Sequence, residues 1–427
     1  MKPNFSITAY TEKILSDLTA SWLWPQRPVV LRHVGINDKT YFGFVSNEGK
    51  AYIASYDHDT EQYQSILLYD YGAVDDHNEP SILVRTDGKI VVFFCGHNAD
   101  NIRWVISTSP EDISSFGEIK LISNPAVGGE YSYPQPIRLS AEGKIYLFCR
   151  RYYNETDRVW DINVSTDECE TFVRDTNPLI HQADIFSPYT IPISNGIDTI
   201  WFARSDRLDS EDSYIRKHIL AWYYKQGSFY KADGTKICDW VDLPITDLND
   251  LDMIYNSDTP GNHYAFVSDI ALDIDGKPAI AFTTLDNSNV NYCNYAKWNG
   301  LTWDVSEIVN IDGNVYADDS HPAYNGGIML NHKNVSEVIL GRETGGFGSK
   351  VFEIEIWKFN EVWEKTEDVS LKNVSLPKKI MRPYIPINHH PNFKAIWIGG
   401  VYTSYTNWSC NLFRRNKRPL VFRAPSF

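Results

Sequence analysis

A short pattern of apolar and polar positions recurs along this chain. Each copy has a turn that contains Gly, Asn or Asp, then five to seven apolar residues, then a polar or charged residue where the apolar run stops. A turn followed by an apolar run of this length is typical of a buried β-strand. Seven copies are found, and they end at or near Ser55, His97, Arg150, Arg204, Thr284, Arg342 and Gly400.

The spacing of the copies predicts the fold. The steps between their ends range from 42 to 80 residues, which is the size of a four-stranded antiparallel unit with its loops. Seven such units predict an all-β, seven-bladed β-propeller that spans residues 1–427 as a single domain. We expect roughly the first 20 residues to form an arm or to complete the closing blade. A β-helix would need shorter repeats, and a β-sandwich would not explain a unit that recurs so far along the chain.

Cationic side chains mark the ends of several copies. If the repeated strand is the one nearest the propeller axis, the side chains at its end meet at one mouth of the central channel. The residues expected to converge there are His97, Arg150, Arg151, Arg204 and Arg342. Such a basic pocket on a protein of net charge −15 indicates an anionic ligand. Taken singly, each arginine is equally consistent with a solvated strand end.

Composition narrows the class of protein. Aromatic residues make up 14% of the chain, which is typical of a β-protein, and the acidic balance argues against binding to nucleic acid or to an anionic membrane. The six cysteines are scattered without a CxxC pair and are expected to be free thiols. The first residues lack the apolar core of a signal peptide. We nevertheless expect a secreted or extracellular protein, with a component of a phage particle as the alternative.

Several motifs together carry a family likeness. They are DDHNEP at 75–80, CGHN at 95–98, YSYPQP at 131–136, SPY at 187–189, YNGG at 324–327 and RPYIP at 382–386. In addition, Ser165–Phe172 resembles an Asp-box turn, with Cys169 in place of Gly. From about Trp22 onward the chain resembles the BNR-repeat propeller family, whose characterised enzymes with this pattern are polysaccharide lyases, notably ulvan lyases. The resemblance implies a propeller with a site in a cleft on one face.

The resemblance also implies roles for individual residues. His77 and His97 match the paired site histidines of the family, Tyr133 its catalytic tyrosine and Arg150 its carboxylate-neutralising arginine. Tyr189 matches a further site tyrosine. One departure concerns the segment after the fourth repeated strand, where a further histidine is expected. This chain reads SDRLDSEDSY there, and Arg207 is the nearest candidate.

These residue types suit β-elimination from a uronate. Arg150 can neutralise the carboxylate, because a guanidinium binds it through two parallel hydrogen bonds. His77 is predicted to be the base and Tyr133 the acid, and the reverse assignment stays open. No cofactor is required for this chemistry. Further residues are expected to bind the acidic polysaccharide, namely Asn78, Arg151, Arg204, Arg207 and His263.

Two other functions and a metal site are open at this point. A propeller of this kind could bind a glycan without cleaving it, or it could be a sialidase-like hydrolase. His263, Asp269, Asp319 and His321 form a candidate ligand set for a structural ion if their loops meet, although their spacing matches no local metal motif. The expected partner is an acidic polysaccharide, with no nucleic acid and no membrane.

Overall fold

A computed structural model describes eight stretches of the chain: residues 8–23, 26–123, 130–153, 157–181, 186–208, 215–317, 320–370 and 379–419. Almost all of the regular structure in these stretches is β-strand. The helical segments are three single turns of 3-10 helix, Asp76–Asn78, Trp240–Asp242 and Leu248–Asp250. None of the helical segments in these stretches has the length and apolar character needed to cross a membrane. All six cysteines are free, as predicted.

Four sheets are four-stranded antiparallel meanders, in which each strand pairs with the next along the chain. With the strands numbered along the chain from β1 (Thr8–Thr19), the first of these sheets contains β2 (Val30–Val34), β3 (Asp38–Val45), β4 (Lys50–Asp57) and β5 (Tyr63–Asp70). The second contains β6 (Ser81–Val84), β7 (Ile90–Phe94), β8 (Asn101–Ile106) and β9 (Lys120–Ser123). The third contains β10 (Tyr131–Leu139), β11 (Lys144–Tyr152), β12 (Arg158–Ser165) and β13 (Val173–Arg174).

Two wider sheets and the last meander complete the fold. A six-stranded sheet contains β14 (Phe186–Ser194), β15 (Thr199–Leu208), β16 (Lys217–Lys225), β17 (Ser228–Tyr230), β18 (Lys236–Asp239) and β19 (Asp252–Tyr255). The last meander contains β20 (Tyr264–Leu272), β21 (Pro278–Leu285), β22 (Asn291–Trp298) and β23 (Trp303–Asp312). An eight-stranded sheet, here called the closing sheet, contains β1, β24 (Ile328–Leu330), β25 (Glu337–Glu343), β26 (Phe352–Asn360), β27 (Val362–Asp368), β28 (Lys379–Tyr384), β29 (Ile396–Ser404) and β30 (Asn407–Pro419).

The closing sheet corrects the predicted number of blades. We predicted seven separate blades, but the described strands form five separate sheets and the closing sheet, so the count of seven is wrong. The physical reason is a parallel bridge between Phe352 and Lys379, which joins β26 to β28 and makes the strands on either side continuous. Strand β1 extends the same sheet by antiparallel pairing with β30. The all-β propeller class is confirmed.

The repeated strand is not the innermost strand. Most copies of the repeat form the second strand of a sheet, for example β7, β11 and β15, and the copy that ends near Ser55 forms the third strand β4. The first strands β6, β10, β14 and β20 contact one another in succession. They also line one common cavity of about 240 Å³. These first strands therefore surround the axis, and our placement of the repeated strand at the axis is wrong.

A buried ion pair connects the closing sheet to the second sheet. Arg382 of β28 donates to Asp76 at 2.5 Å and to the carbonyl oxygen of Trp22 at 2.7 Å. The hydroxyl of Tyr402 donates to the same oxygen of Asp76 at 2.6 Å. Asp76 and Arg382 are 0% and 3% exposed, so neither charge has water as an alternative partner.

We expect Arg382→Leu to lower the free energy of unfolding by about 3–5 kcal/mol, because it leaves the Asp76 carboxylate buried without its cation. Denaturant unfolding followed by tryptophan fluorescence measures this loss. The matched control is Lys50→Ala, which removes an exposed ion pair with Glu48 and should cost no more than about 1 kcal/mol. Equal losses in the two variants would contradict a structural role for the buried pair.

Candidate active site

A cavity of about 150 Å³ collects polar side chains from separate sheets. The segments that line it lie before the first strand of a sheet, within that strand, or at the junction of the second and third strands. The lining residues are His77, His97, Asn98, Arg150, Arg158, Tyr189, Arg207, Arg216, His321, Tyr324 and Tyr405. These residues run from His77 to Tyr405 in the sequence, so they meet only because the sheets are arranged around a common axis.

Asp75 positions the two histidines. It caps the 3-10 helix Asp76–Asn78 by accepting a hydrogen bond from the backbone N–H of His77 at 2.9 Å. One carboxylate oxygen lies 2.5 Å from Nδ1 of His77, and the other lies 3.1 Å from Nδ1 of His97. The two imidazole rings stack with their centroids 4.1 Å apart and their planes 4° from parallel. One carboxylate therefore fixes both rings.

The two imidazoles carry different charges. Burial by itself lowers the pKa of His77, but the Asp75 carboxylate 2.5 Å from its Nδ1 favours the charged ring, and this pKa lies well above its ordinary value. Burial and the charge of His77 lower the pKa of His97 to about 4. At neutral pH, His77 is therefore an imidazolium and His97 a neutral imidazole. Asn78 supports this arrangement, because its Oδ1 accepts a hydrogen bond from the backbone N–H of His97 at 2.6 Å.

Tyr133 lies beside the histidines on a distorted part of β10. The register of β10 against β11 shifts between Ser132 and Gln135, and Tyr133 has a φ of +60° within this bulge. A bulge redirects a side chain, and a left-handed backbone is unusual for tyrosine. The Tyr133 ring lies 6.1 Å from the ring of His77, centroid to centroid. Burial raises the pKa of Tyr133, so its hydroxyl is protonated at neutral pH.

Arg150 lies between the tyrosines and the histidine pair. Its guanidinium carbon is 4.8 Å from the ring centroid of Tyr133 and 5.2 Å from that of Tyr189. Its Nη2 atom lies 3.2 Å from Oδ1 of Asn98 and 3.4 Å from Nε2 of His97. Asn98 and His97 orient the guanidinium as neutral acceptors, and no carboxylate among the described residues pairs with it.

Tyr189 is surrounded by cations. Nη2 of Arg216 donates to its hydroxyl at 2.9 Å, and the guanidinium carbon of Arg216 lies 4.3 Å from its ring centroid. Burial by itself raises the pKa of Tyr189. The charges of Arg216 and Arg150, followed by that of Arg207, outweigh burial and lower this pKa to about 6.

The electrostatics of the cavity are opposite to those of the whole protein. Four arginines line it, together with the His77 imidazolium, and none of the described lining residues is Asp or Glu. The four arginines are Arg150, Arg158, Arg207 and Arg216. In a protein of net charge −15, these positively charged side chains favour an anionic ligand.

Not all the predicted site residues reach the cavity. Arg151 follows Arg150 on β11 but pairs with Asp161 at 2.8 Å, and Arg204 is fully buried against Asp206 at 2.5 Å. Arg342 pairs with Glu355 at 3.2 Å. The predicted convergence of all strand-end cations is therefore wrong for these three, because each guanidinium pairs with a carboxylate of its own sheet. Arg151 in addition follows Arg150 directly, and adjacent residues of a strand point to opposite faces.

His263 is also placed away from the cavity. Its backbone N–H donates to the hydroxyl of Tyr255 at 2.8 Å, and its ring stacks on Tyr292 with centroids 6.2 Å apart. Asn78 is buried and acts on the backbone of His97. Of the five residues predicted to bind substrate, only Arg207 lines the cavity.

Sequence reasoning missed several lining residues. Arg216 immediately precedes the third strand of its sheet, and Arg158 is the first residue of the third strand of another sheet. The repeat, in contrast, marked only the ends of second strands. Tyr405 follows β29 and stacks edge-on against His77 with centroids 5.2 Å apart. The available signal was positional: in a meander, the start of the third strand lies beside the end of the second.

Two of the four predicted metal ligands have other contacts in the structure. Asp269 is buried in contact with Arg27 and His332, and His321 lines the cavity, while Asp319 lies outside the described residues. A different group, Asp75, His77 and His97, has ligand atoms within 4.8 Å of one another and could hold a metal ion. The short contacts of Asp75 with both Nδ1 atoms already account for this grouping by hydrogen bonds.

Two characterised relatives share part of the sequence. The ulvan lyase-PL25 of Pseudoalteromonas sp. (strain PLSV) is 23% identical over 326 residues, which cover 65% of this chain and 63% of the relative. An ulvan lyase of Nonlabens ulvanivorans is 24% identical over 335 residues, which cover 67% of each chain. The chain thus matches somewhat less than two thirds of the length of the first relative.

Solved structures show the same fold. A PL25 ulvan lyase superposes with a TM-score of 0.73 at 18% identity, over 96% of this chain and 97% of that one. The structure of such a lyase bound to -[GlcA(1-4)Rha3S]- gives a TM-score of 0.72. The polysaccharide lyase Uly1 gives 0.64 at 9% identity, over 96% of this chain and all of that one.

A family model confirms the likeness seen in the motifs. The model is described as a BNR repeat-containing family member and matches residues 39–311, from β3 to β23. The match takes in most of the cavity residues, including both stacked histidines, Arg150 and Tyr189. Because this match covers more than half of the chain, the protein belongs to the BNR repeat-containing family.

Proposed function

We propose that this protein is a polysaccharide lyase that cleaves a uronate-containing glycan by β-elimination. The observation that carries the proposal is the cavity itself, which four arginines and His77 line together with Tyr189 and Tyr324. A uronate residue offers the carboxylate that such a cavity would bind. The two ulvan lyase relatives, and the glucuronate-containing fragment bound to a structure of the same fold, support this choice of substrate.

Arg150 is the group that neutralises the carboxylate. The transition state of β-elimination places additional negative charge on the carboxylate oxygens, and a fixed guanidinium stabilises that charge more strongly than it stabilises the ground state. Arg150 is fixed by Asn98, His97 and the faces of two tyrosines, and its retained charge is directed into the cavity.

His77 and Tyr133 are suited to donate protons. Both are protonated at neutral pH, His77 because the Asp75 carboxylate favours its charged form and Tyr133 because burial raises its pKa. Either can give a proton to the departing glycosidic oxygen or stabilise its charge. The positive charge of His77 disfavours its assignment as the base, made from the sequence. Tyr133 does not itself line the cavity, but its ring lies 6.1 Å from that of His77, and we keep it as the acid.

The same features support proposals about the cofactor, the class of ligand and the location of the reaction. The reaction needs no cofactor, because the arginines supply the charge stabilisation that a metal would otherwise provide. The ligand is an acidic polysaccharide rather than a nucleic acid or a membrane, since the positive charge is confined to a small cavity on an acidic protein. We propose that the reaction takes place outside the cell, because a polysaccharide is too large to cross a membrane unaided.

A panel of uronate-containing polysaccharides tests the proposal directly. We expect at least one member to give a rise in the ultraviolet absorbance of unsaturated uronate, and mass spectrometry should find products that have not gained water. The same polysaccharide with its carboxyl groups reduced to alcohols should not react. Binding without new absorbance would identify a glycan-binding propeller instead, and products that have gained water would identify a hydrolase.

Arg150→Ala should reduce formation of unsaturated product by at least about 10³-fold, because the carboxylate charge then grows without its fixed cation. The rate of absorbance increase at saturating substrate measures this effect. Arg342→Ala is the matched control, since Arg342 is a strand-end arginine that pairs with Glu355 away from the cavity. Comparable rates for the Arg150 variant and the wild type would remove Arg150 from the mechanism.

Tyr133→Phe should lower kcat by roughly 10²-fold or more while KM changes little, because the ring remains and only the transferable proton is lost. Steady-state kinetics over a range of polysaccharide concentrations separate the two constants. An increase in KM at constant kcat would instead show that the hydroxyl binds substrate without taking part in proton transfer.

A further inference from the structure

The first sheet and the closing sheet meet along a contact that does not line the active-site cavity. The chain between β28 and β29 runs beside strand β2, where Leu31 forms a parallel bridge with Ile387 and the N–H of Arg32 donates to the carbonyl oxygen of Ile387 at 2.9 Å. Phe393 is fully buried and packs on the ring of Tyr56 of β4 with centroids 5.3 Å apart. These contacts, here called the seam, join the first sheet of the chain to the last.

Two histidines stack on each other at the seam. His58, which follows β4, and His390, in the connection between β28 and β29, have ring centroids 4.2 Å apart and planes 15° from parallel. The ring of Phe393 meets that of His58 edge-on with centroids 5.6 Å apart. Nε2 of His58 lies 2.8 Å from Oγ1 of the buried Thr40. One ring comes from each side of the seam, so a change in the charge of the pair acts on the seam itself.

The turn that contains His390 requires a neutral ring. Nδ1 of His390 accepts a hydrogen bond from the backbone N–H of Asn392 at 3.1 Å, and the carbonyl oxygen of His390 accepts one from the N–H of Phe393 at 2.9 Å. An imidazolium carries a hydrogen on both nitrogens, so protonation of His390 would set a second N–H against that of Asn392. The bond that shapes this turn, and with it the position of Phe393, therefore forms only with the neutral ring.

The stacked pair at the seam also lacks a carboxylate of its own. In the candidate active site, the two stacked histidines share Asp75, which favours a charged ring. No carboxylate in the described part of the chain bonds to His58 or His390, and Asp38, which acts on both rings, is already paired with Arg32 at 2.5 Å. Two stacked imidazoliums without a bound carboxylate would repel each other. The stack therefore favours a state in which at least one ring is neutral.

The surroundings of the pair lower the pKa of both rings. The charged and titratable groups that face it from the packed strands and turns are Arg32, Asp38, Tyr56, Asp59, Lys333 and Arg414. Burial, followed by the neighbouring imidazole, lowers the pKa of His58 to about 4, and burial also lowers the pKa of His390. Below about pH 6.5 the unfolded chain therefore takes up protons that the folded chain does not, and the stability contributed by the pair is lost toward pH 4.

We propose that His58 and His390 form an acid-sensitive latch, which holds the first sheet against the closing sheet at neutral pH and releases the seam on acidification. Release begins at the turn of His390, because protonation breaks its bond to the backbone N–H in that turn and frees Phe393 from the first sheet. The closing sheet also contains Arg382, which holds Asp76. An open seam therefore weakens the support of the candidate active-site histidines, whatever reaction that site performs.

The first test is the pH dependence of the free energy of unfolding in denaturant. In the double variant His58→Gln with His390→Asn, the Gln amide should keep the hydrogen bond to Thr40 and the Asn oxygen should replace Nδ1, but neither side chain can titrate. Between about pH 6.5 and pH 4, unfolding of the wild type should take up about one proton more than unfolding of the double variant. The slope of the free energy against pH measures this difference, because other titrating groups contribute equally to both proteins.

His33→Gln is the matched control for the first test. His33 lies on β2 of the same first sheet, but its ring faces Glu111 at 3.5 Å rather than a second imidazole. This variant should keep the wild-type slope. Equal slopes in the wild type and the double variant would overturn the proposal. A double variant that is less stable at neutral pH still tests it, because slopes rather than absolute stabilities are compared.

The second test locates the release by hydrogen exchange and mass spectrometry, corrected for the intrinsic effect of pH. In the wild type, segments 30–34 and 385–395 should exchange about tenfold faster or more at about pH 4.5 than at about pH 7.5, whereas β11 and β12 of the third sheet should stay protected. The double variant should keep the seam protected at both pH values. Loss of protection in all sheets together, or equal loss in the double variant, would overturn the latch. Neither test uses a substrate, so both are independent of the proposed lyase function.

Discussion

The Asp75 carboxylate is the interaction on which the rest of the site depends. It is shared by two stacked imidazoles and caps the short helix that carries one of them. Removing its charge would leave two parallel rings without a common anchor. Asp76, the next residue, connects the same helix to Arg382 of the closing sheet, so the position of the histidines depends on strands near the other end of the described chain.

Much of this could be predicted from the sequence. The turn and apolar-run pattern located the second strands, and the polar residues at their ends included His97 and Arg150, which do line the cavity. The Asp-box turn is formed as predicted, with Asp167 accepting the backbone N–H of Thr171 at 2.9 Å. Local patterns were informative because local hydrogen bonding produces these turns and strands.

The remaining features depend on contacts that a local pattern does not encode. Whether Arg150 or Arg151 faces the cavity depends on the twist and register of β11, and the bulge at Tyr133 changes that register. The number of separate sheets depends on a single bridge between Phe352 and Lys379. Arg216 reaches the site from the residue before β16, outside the repeated second strands, so the spacing of the repeat did not indicate it.

The closing sheet has a consequence for the order in which the protein matures. It pairs β1, the first described strand, with β30, the last described strand, and it also contains Arg382 and Tyr402, which hold Asp76. During translation, the histidine-bearing helix emerges long before its partners exist. The ring therefore acquires a complete cavity only after nearly the whole chain has left the ribosome, and a nascent chain would carry the imidazoles without their support.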